Sequence, residues 1–127
     1  MKVFFVYFYL FLFCFIQNSW SDDFIINNIV INKPWIKSIH SGQKVTSGYL
    51  EIINNSKSDD VLLSIESNFA KNNQIHSMSI QNDVMKMKHL KSGLIIKKKS
   101  KIVLKPGGFH LMFSEINEEL KNKIKIY

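Results

Sequence analysis

Gln74-Ile75-His76-Ser77-Met78-Ser79-Ile80, Gln81-Asn82-Asp83 and Val84-Met85-Lys86-Met87-Lys88-His89 run consecutively and decide the fold. Side chains of one chemical kind recur at every second position on both sides of the polar tripeptide. His76 and Met78 form one such set; Met85, Met87 and His89 form the other. A period of two marks a β-strand, and a short polar break between two such runs marks a hairpin. The stretch is therefore expected to form a hairpin of residues 74–80 and 84–89.

The same period extends outward. Strands are expected at residues 29–31, 33–39, 47–53, 61–66, 101–104 and 109–113. Between them lie polar or glycine-containing turns: Ser41-Gly42-Gln43, the Asn- and Ser-rich residues 54–60, Ser92-Gly93 and Pro106-Gly107-Gly108. Residues 69–73 read as a loop. Residues 115–120 have room for one helical turn, and residues 123–127 alternate again. No segment carries a sustained helical face. Many short strands at regular spacing imply an all-β domain, an Ig-like β-sandwich or small barrel.

The chain begins differently. Lys2 precedes an unbroken apolar run over residues 3–16, and Ser19-Trp20-Ser21 places small residues at −3 and −1 of a cut before Asp22. This is the pattern of a secretory signal peptide over residues 1–21. The apolar run, 14 residues, is shorter than the roughly 20 that span a bilayer. No stable membrane span is expected after processing. Cys14 follows the bulky Phe13, where a lipoprotein cleavage box needs a small residue, so lipid attachment there is not expected. Residues 22–127 then form one domain without cysteine, which excludes disulfides, thiolate metal sites and cysteine catalysis.

The formal charge is +7, and loss of Lys2 makes it +6. The excess concentrates at residues 97–105 and 121–125. In an exported protein a basic balance favours an acidic protein or an anionic surface over nucleic acid. Lysines also protect strand edges from aggregation.

His76-Ser77-Met78, Met85-Lys86-Met87 and His110-Leu111-Met112 suggest a chemistry. Residues two apart on a strand share a face, so each motif presents its pair together. A hairpin brings the first beside the second, and the strand after Pro106-Gly107-Gly108 can close from the other side. Imidazole and thioether without thiolate suit Cu(I), which is soft; Zn(II) gains little from methionine. Each piece alone has an ordinary explanation: methionine fills cores, and single histidines such as His40 more often make structural hydrogen bonds; His89 has the same explanation, with a secondary ligand role as its alternative. One copper site would explain the motifs together.

Ile75-His76-Ser77-Met78-Ser79, Val84-Met85-Lys86-Met87-Lys88 and Leu104-Lys105-Pro106-Gly107-Gly108-Phe109-His110-Leu111-Met112 resemble the signature of the PCuAC family of bacterial periplasmic copper chaperones. Trp35, Gly48-Tyr49-Leu50 and Asn54-Asn55 also fall where that family has an early tryptophan, a Tyr-Leu strand and an Asn-rich turn. The resemblance covers residues 29–120. It implies a cupredoxin-like β-barrel that binds Cu(I) through His76, Met87, His110 and Met112, with Met78 and Met85 as secondary candidates. It further implies a periplasmic chaperone delivering copper to the dinuclear copper site of a cytochrome c oxidase subunit, alongside Sco-type proteins. Family domains usually continue for one or two more strands, so the resemblance implies a barrel lacking its closing edge.

Competing readings make distinct demands. An electron-transfer cupredoxin needs a cysteine thiolate, absent after processing. An exported enzyme needs a catalytic constellation, and the sequence has no His/Asp/Ser set, nucleophile elbow or phosphate-binding glycine loop. A metal-free exported β-sandwich would bind a protein or the envelope surface through its basic patches.

Overall fold

The computed structural model describes residues 24–117. They form nine strands: β1 (Phe24–Ile26), β2 (Ile29–Ile36), β3 (Val45–Asn54), β4 (Asp60–Leu62), β5 (Ala70–Gln81), β6 (Val84–His89), β7 (Leu94–Ile96), β8 (Ser100–Leu104) and β9 (His110–Ile116). The all-β class expected from periodicity is the class observed. The signal segment, residues 121–125 and residues 123–127 lie outside the described residues. No described helix is long and apolar enough to cross a membrane.

Seven strands make one antiparallel sheet in the order β1-β2-β3-β9-β5-β6, with β8 also on β3; β4 and β7 form a separate pair. β3 organises the whole. It pairs with β2 along one side, while its other side is shared. Val45 to Gly48 pair with β9, and Leu50 to Asn54 pair with β8. The corner between β8 and β9 is Pro106-Gly107-Gly108. Gly107 has φ +78, a left-handed conformation that glycine adopts without steric cost, and Lys105 N donates to Phe109 O at 2.8 Å. This corner carries the chain from the second half of β3 to its first half and sets His110 at the start of β9.

The core lies on one face of this sheet. Ile52, Ile75, Leu104, Leu111 and Phe113 are buried there, with Leu94 and Ile96 contributed by β7. The Phe69 and Phe113 rings pack at a tilt of 48°, with centroids 4.8 Å apart. Gly48 is required by packing: a Cβ would stand 2.8 Å from Phe113 Cε2. Asn54 is fully buried beside the small sheet. Its amide nitrogen donates to Ser58 O at 3.0 Å and Ile96 O at 3.1 Å, and its oxygen accepts from Ser56 N at 2.9 Å.

Several strand bounds depart from expectation. The two early strands are one, β2, broken by a bulge between Asn32 and Trp35 where Lys33 has φ +49. The expected strand at 61–66 stops at Leu62, leaving Leu63 72% exposed. Residues 70–73, read as a loop, belong to β5, because Asn72 and Asn73 pair with Ser114 and Phe113 of β9. Glu115 and Ile116, placed in a helical turn, end β9 instead.

Candidate metal centre

The expected hairpin is present, with a tighter turn. Gln81 pairs with Val84, leaving a two-residue loop in which Asn82 and Asp83 have φ +52 and +61. Two left-handed residues match the twist of a hairpin, and Asn and Asp tolerate that region better than most side chains. This turn fixes the register of everything above it. His76 lies opposite His89, Met78 opposite Met87, and Ile80 opposite Met85.

β9 flanks β5 on its other side. His76 lies opposite His110, and Gln74 opposite Met112. Residues directly opposite one another project from the same face, as do residues two apart on one strand. His76, Met78, Met85, Met87, His89, His110 and Met112 therefore share one face of three adjacent strands. The intervening pair, Ile75 and Leu111, points the other way into the core. The same face continues onto β3 through Ser47, opposite Met112, and Tyr49, whose ring packs 4.3 Å from Trp35.

The imidazoles lie at the buried end of this face. His76 and His110 are 8% and 6% exposed, whereas Met85 and Met87, on the edge strand β6, are 58% and 51% exposed. The His76 ring stands 5.6 Å from His110 and 5.4 Å from His89, nearly parallel to the latter at 21°.

Hydrogen bonds orient the rings. His110 Nδ1 is 3.1 Å from Gly108 O. A carbonyl only accepts, so Nδ1–H donates and Nε2 keeps its lone pair. His76 Nε2 is 2.8 Å from Gln74 Oε1 and donates to it, which leaves the lone pair on Nδ1. That Nδ1 is buried and has no hydrogen-bond partner. An unsatisfied buried acceptor costs about 1–3 kcal/mol. A metal ion at that position would satisfy it, and an outer hydrogen bond on the opposite ring nitrogen is the usual support for a histidine ligand. Burial, then the neighbouring His110 and His89, hold the His76 pKa below its ordinary 6.5. The neutral ring that a metal requires is thereby favoured.

Among the described residues, no three His, Cys, Asp or Glu side chains already converge at metal-binding spacing. With the side chains placed as they are, nitrogen and carboxylate donors alone form no ready cage. His40, at the loop before β3, stands apart and accepts a backbone hydrogen bond from Gln43 at 3.1 Å.

The basic patch at residues 97–105 is largely engaged within the fold. Lys97 Nζ lies 2.8 Å from Asp59, Lys99 Nζ 2.6 Å from Asn55 O, and Lys101 Nζ 3.7 Å from Glu51.

A family model described as "Putative lipoprotein LpqE-like" matches residues 29–126. The chain belongs to the LpqE-like family. This LpqE-like chain is 27% identical over 100 residues to the "Putative lipoprotein Lxx21020" of Leifsonia xyli subsp. xyli (strain CTCB07), covering 79% of this chain. It spans 59% of that relative's length. Among solved structures the LpqE-like chain is similar to the "Copper-bound PCuAC domain from PmoF2", with a TM-score of 0.63 and 18% identity over 76% of this chain and 74% of that one. It is also similar to the "Apo PCuAC domain from PmoF1", with a TM-score of 0.61 and 21% identity over 75% and 74%. At such identities the likeness is one of fold, and that fold is the cupredoxin-like one of PCuAC domains.

Proposed function

We propose that this protein is an exported, non-enzymatic copper carrier that holds Cu(I) through His76, Met87, His110 and Met112, with Met78 and Met85 at the rim. The observation that carries the reading is the shared face of β9, β5 and β6, where a buried, unpartnered His76 Nδ1 lies among thioether-bearing positions. The fold shared with a copper-bound PCuAC domain supports it.

The arrangement suits transfer. His76 and His110 are oriented by Gln74 and the Gly108 carbonyl and stay in place. Met87 is exposed on an edge strand and lies within reach of a partner's ligand. An incoming donor would displace the thioether first and the imidazoles last. Thioethers do not titrate or form disulfides, so the site would hold copper in an oxidising compartment.

In this reading residues 1–21 are removed on export and residues 22–127 work in the periplasm. The acceptor is the dinuclear copper site of cytochrome c oxidase, and Sco-type thiol proteins are partners in that step. The metal-free alternative is disfavoured because Lys97, Lys99 and Lys101 are already engaged within the fold.

A Cu(I) competition titration against a chromophoric chelator tests the proposal. Stoichiometric binding that is lost in the His76→Ala/His110→Ala variant is expected. Equal copper uptake by both proteins would refute it.

A further inference from the structure

The Cu(I) reading leaves His89 unused, yet the fold places it in the same row as the two imidazoles that reading needs. His110, His76 and His89 lie directly opposite one another across β9, β5 and β6. The His76 ring is the centre of the row, with His110 at 5.6 Å and His89 at 5.4 Å. His89 is half-buried on β6, an edge strand of the sheet. The one buried lone pair in the row without a partner, His76 Nδ1, belongs to the central ring.

We propose that His110, His76 and His89 form a three-imidazole site for Cu(II), which shares two rings with the Cu(I) site and uses His89 in place of the thioethers. The inference rests on the reading that His76 and His110 bind copper. Its physical basis is the difference between the two ions. Cu(I) is soft and gains from methionine sulfur, while Cu(II) prefers nitrogen donors and stands at the top of the divalent affinity order. The face offers both sets, with His89 and Met87 two residues apart on β6 and flanking the same central imidazole. The three rings do not yet converge, so binding Cu(II) requires rotation of the His89 side chain toward His76. A carrier with both sets would accept copper in either oxidation state and exchange one β6 ligand for another between them.

The test uses the full chain, its His89→Gln variant and its Met87→Ala variant. Each is titrated with Cu(II), read by electron paramagnetic resonance, and with Cu(I), read by chelator competition. His89→Gln should weaken Cu(II) binding by roughly 10-fold or more, remove one nitrogen from the hyperfine pattern and leave Cu(I) affinity unchanged. Met87→Ala should do the reverse. Retained Cu(I) affinity also reports that His89→Gln is folded. If Cu(I) binds but His89→Gln leaves the Cu(II) affinity and nitrogen count as they were, this inference is overturned and the Cu(I) site stands. If the unmodified chain binds neither ion, both readings fail together.

Discussion

Met78 lies directly opposite Met87 across the β5–β6 hairpin, the next same-face pair beyond His76 and His89. The two thioethers are not equivalent. Met87 is on the outer strand and 51% exposed, and Met78 is on the inner strand and half-buried. Copper held by Met87 would be reached from solvent, while Met78 backs it from the interior of the sheet.

This difference ranks the ligands. His110→Ala should weaken Cu(I) binding more than Met78→Ala, by roughly 10- to 100-fold relative to the unmodified protein. His110 is fixed by its own hydrogen bond to Gly108 O, and no thioether can replace an oriented imidazole. Equal losses in a competition titration would remove the ranking.

Acid should weaken the copper-free protein in a defined window. The His76 pKa is depressed in the folded state by burial and by the adjacent His110 and His89. Between that value and 6.5 the unfolded chain binds a proton that the folded one does not. Stability therefore falls as pH drops from about 6.5 and levels off below the folded value. Denaturant unfolding of apo-protein across this range should show the slope, and His76→Gln should flatten it. An unchanged slope in that variant would assign the effect elsewhere.

Asn54 joins the main sheet to the β4–β7 pair. Asn54→Ala strips three hydrogen bonds from a buried site, costing about 2–4 kcal/mol. Gly48→Ala forces its new methyl against Phe113 and should cost about 1–3 kcal/mol. Thermal unfolding monitored by circular dichroism measures both. A Gly48→Ala variant as stable as the parent would mean that Phe113 yields freely.

In the proposed function, cleavage on export would give a chain that begins at Asp22. Intact-mass measurement of the processed protein should return residues 22–127 without a lipid. An acylated chain beginning at Cys14 would show instead that the bulky Phe13 is tolerated and that the protein is membrane-anchored.

The hairpin was readable because two signals agree over residues 74–89: alternation along both arms and a turn of Asn and Asp. The sharing of β3 between β8 and β9 was not, since it rests on pairings between residues some fifty to seventy positions apart, such as Leu50 with Leu104 and Val45 with Ser114. Polar runs misled locally. Lys71-Asn72-Asn73 look like a loop but are strand, because β9 takes up their backbone hydrogen bonds. β7 had no expectation at all; three residues between Gly93 and a lysine run are too few to show a period. At the candidate site, His-x-Met and Met-x-Met spacing was enough to place each pair on one face. Which strands would lie side by side depended on topology. The hairpin sets β6 beside β5 from the sequence alone; the row of His89, His76 and His110 also needs β9 on the other side of β5, which only the topology supplies.

X-ray absorption at the copper edge of the Cu(I)-loaded protein tests the central claim most directly, because sulfur and nitrogen neighbours scatter at separable distances. The account predicts a first shell of two imidazole nitrogens and two thioether sulfurs, with one nitrogen lost in His110→Ala and one sulfur lost in Met87→Ala. A shell without sulfur, or one unchanged in both variants, would contradict it.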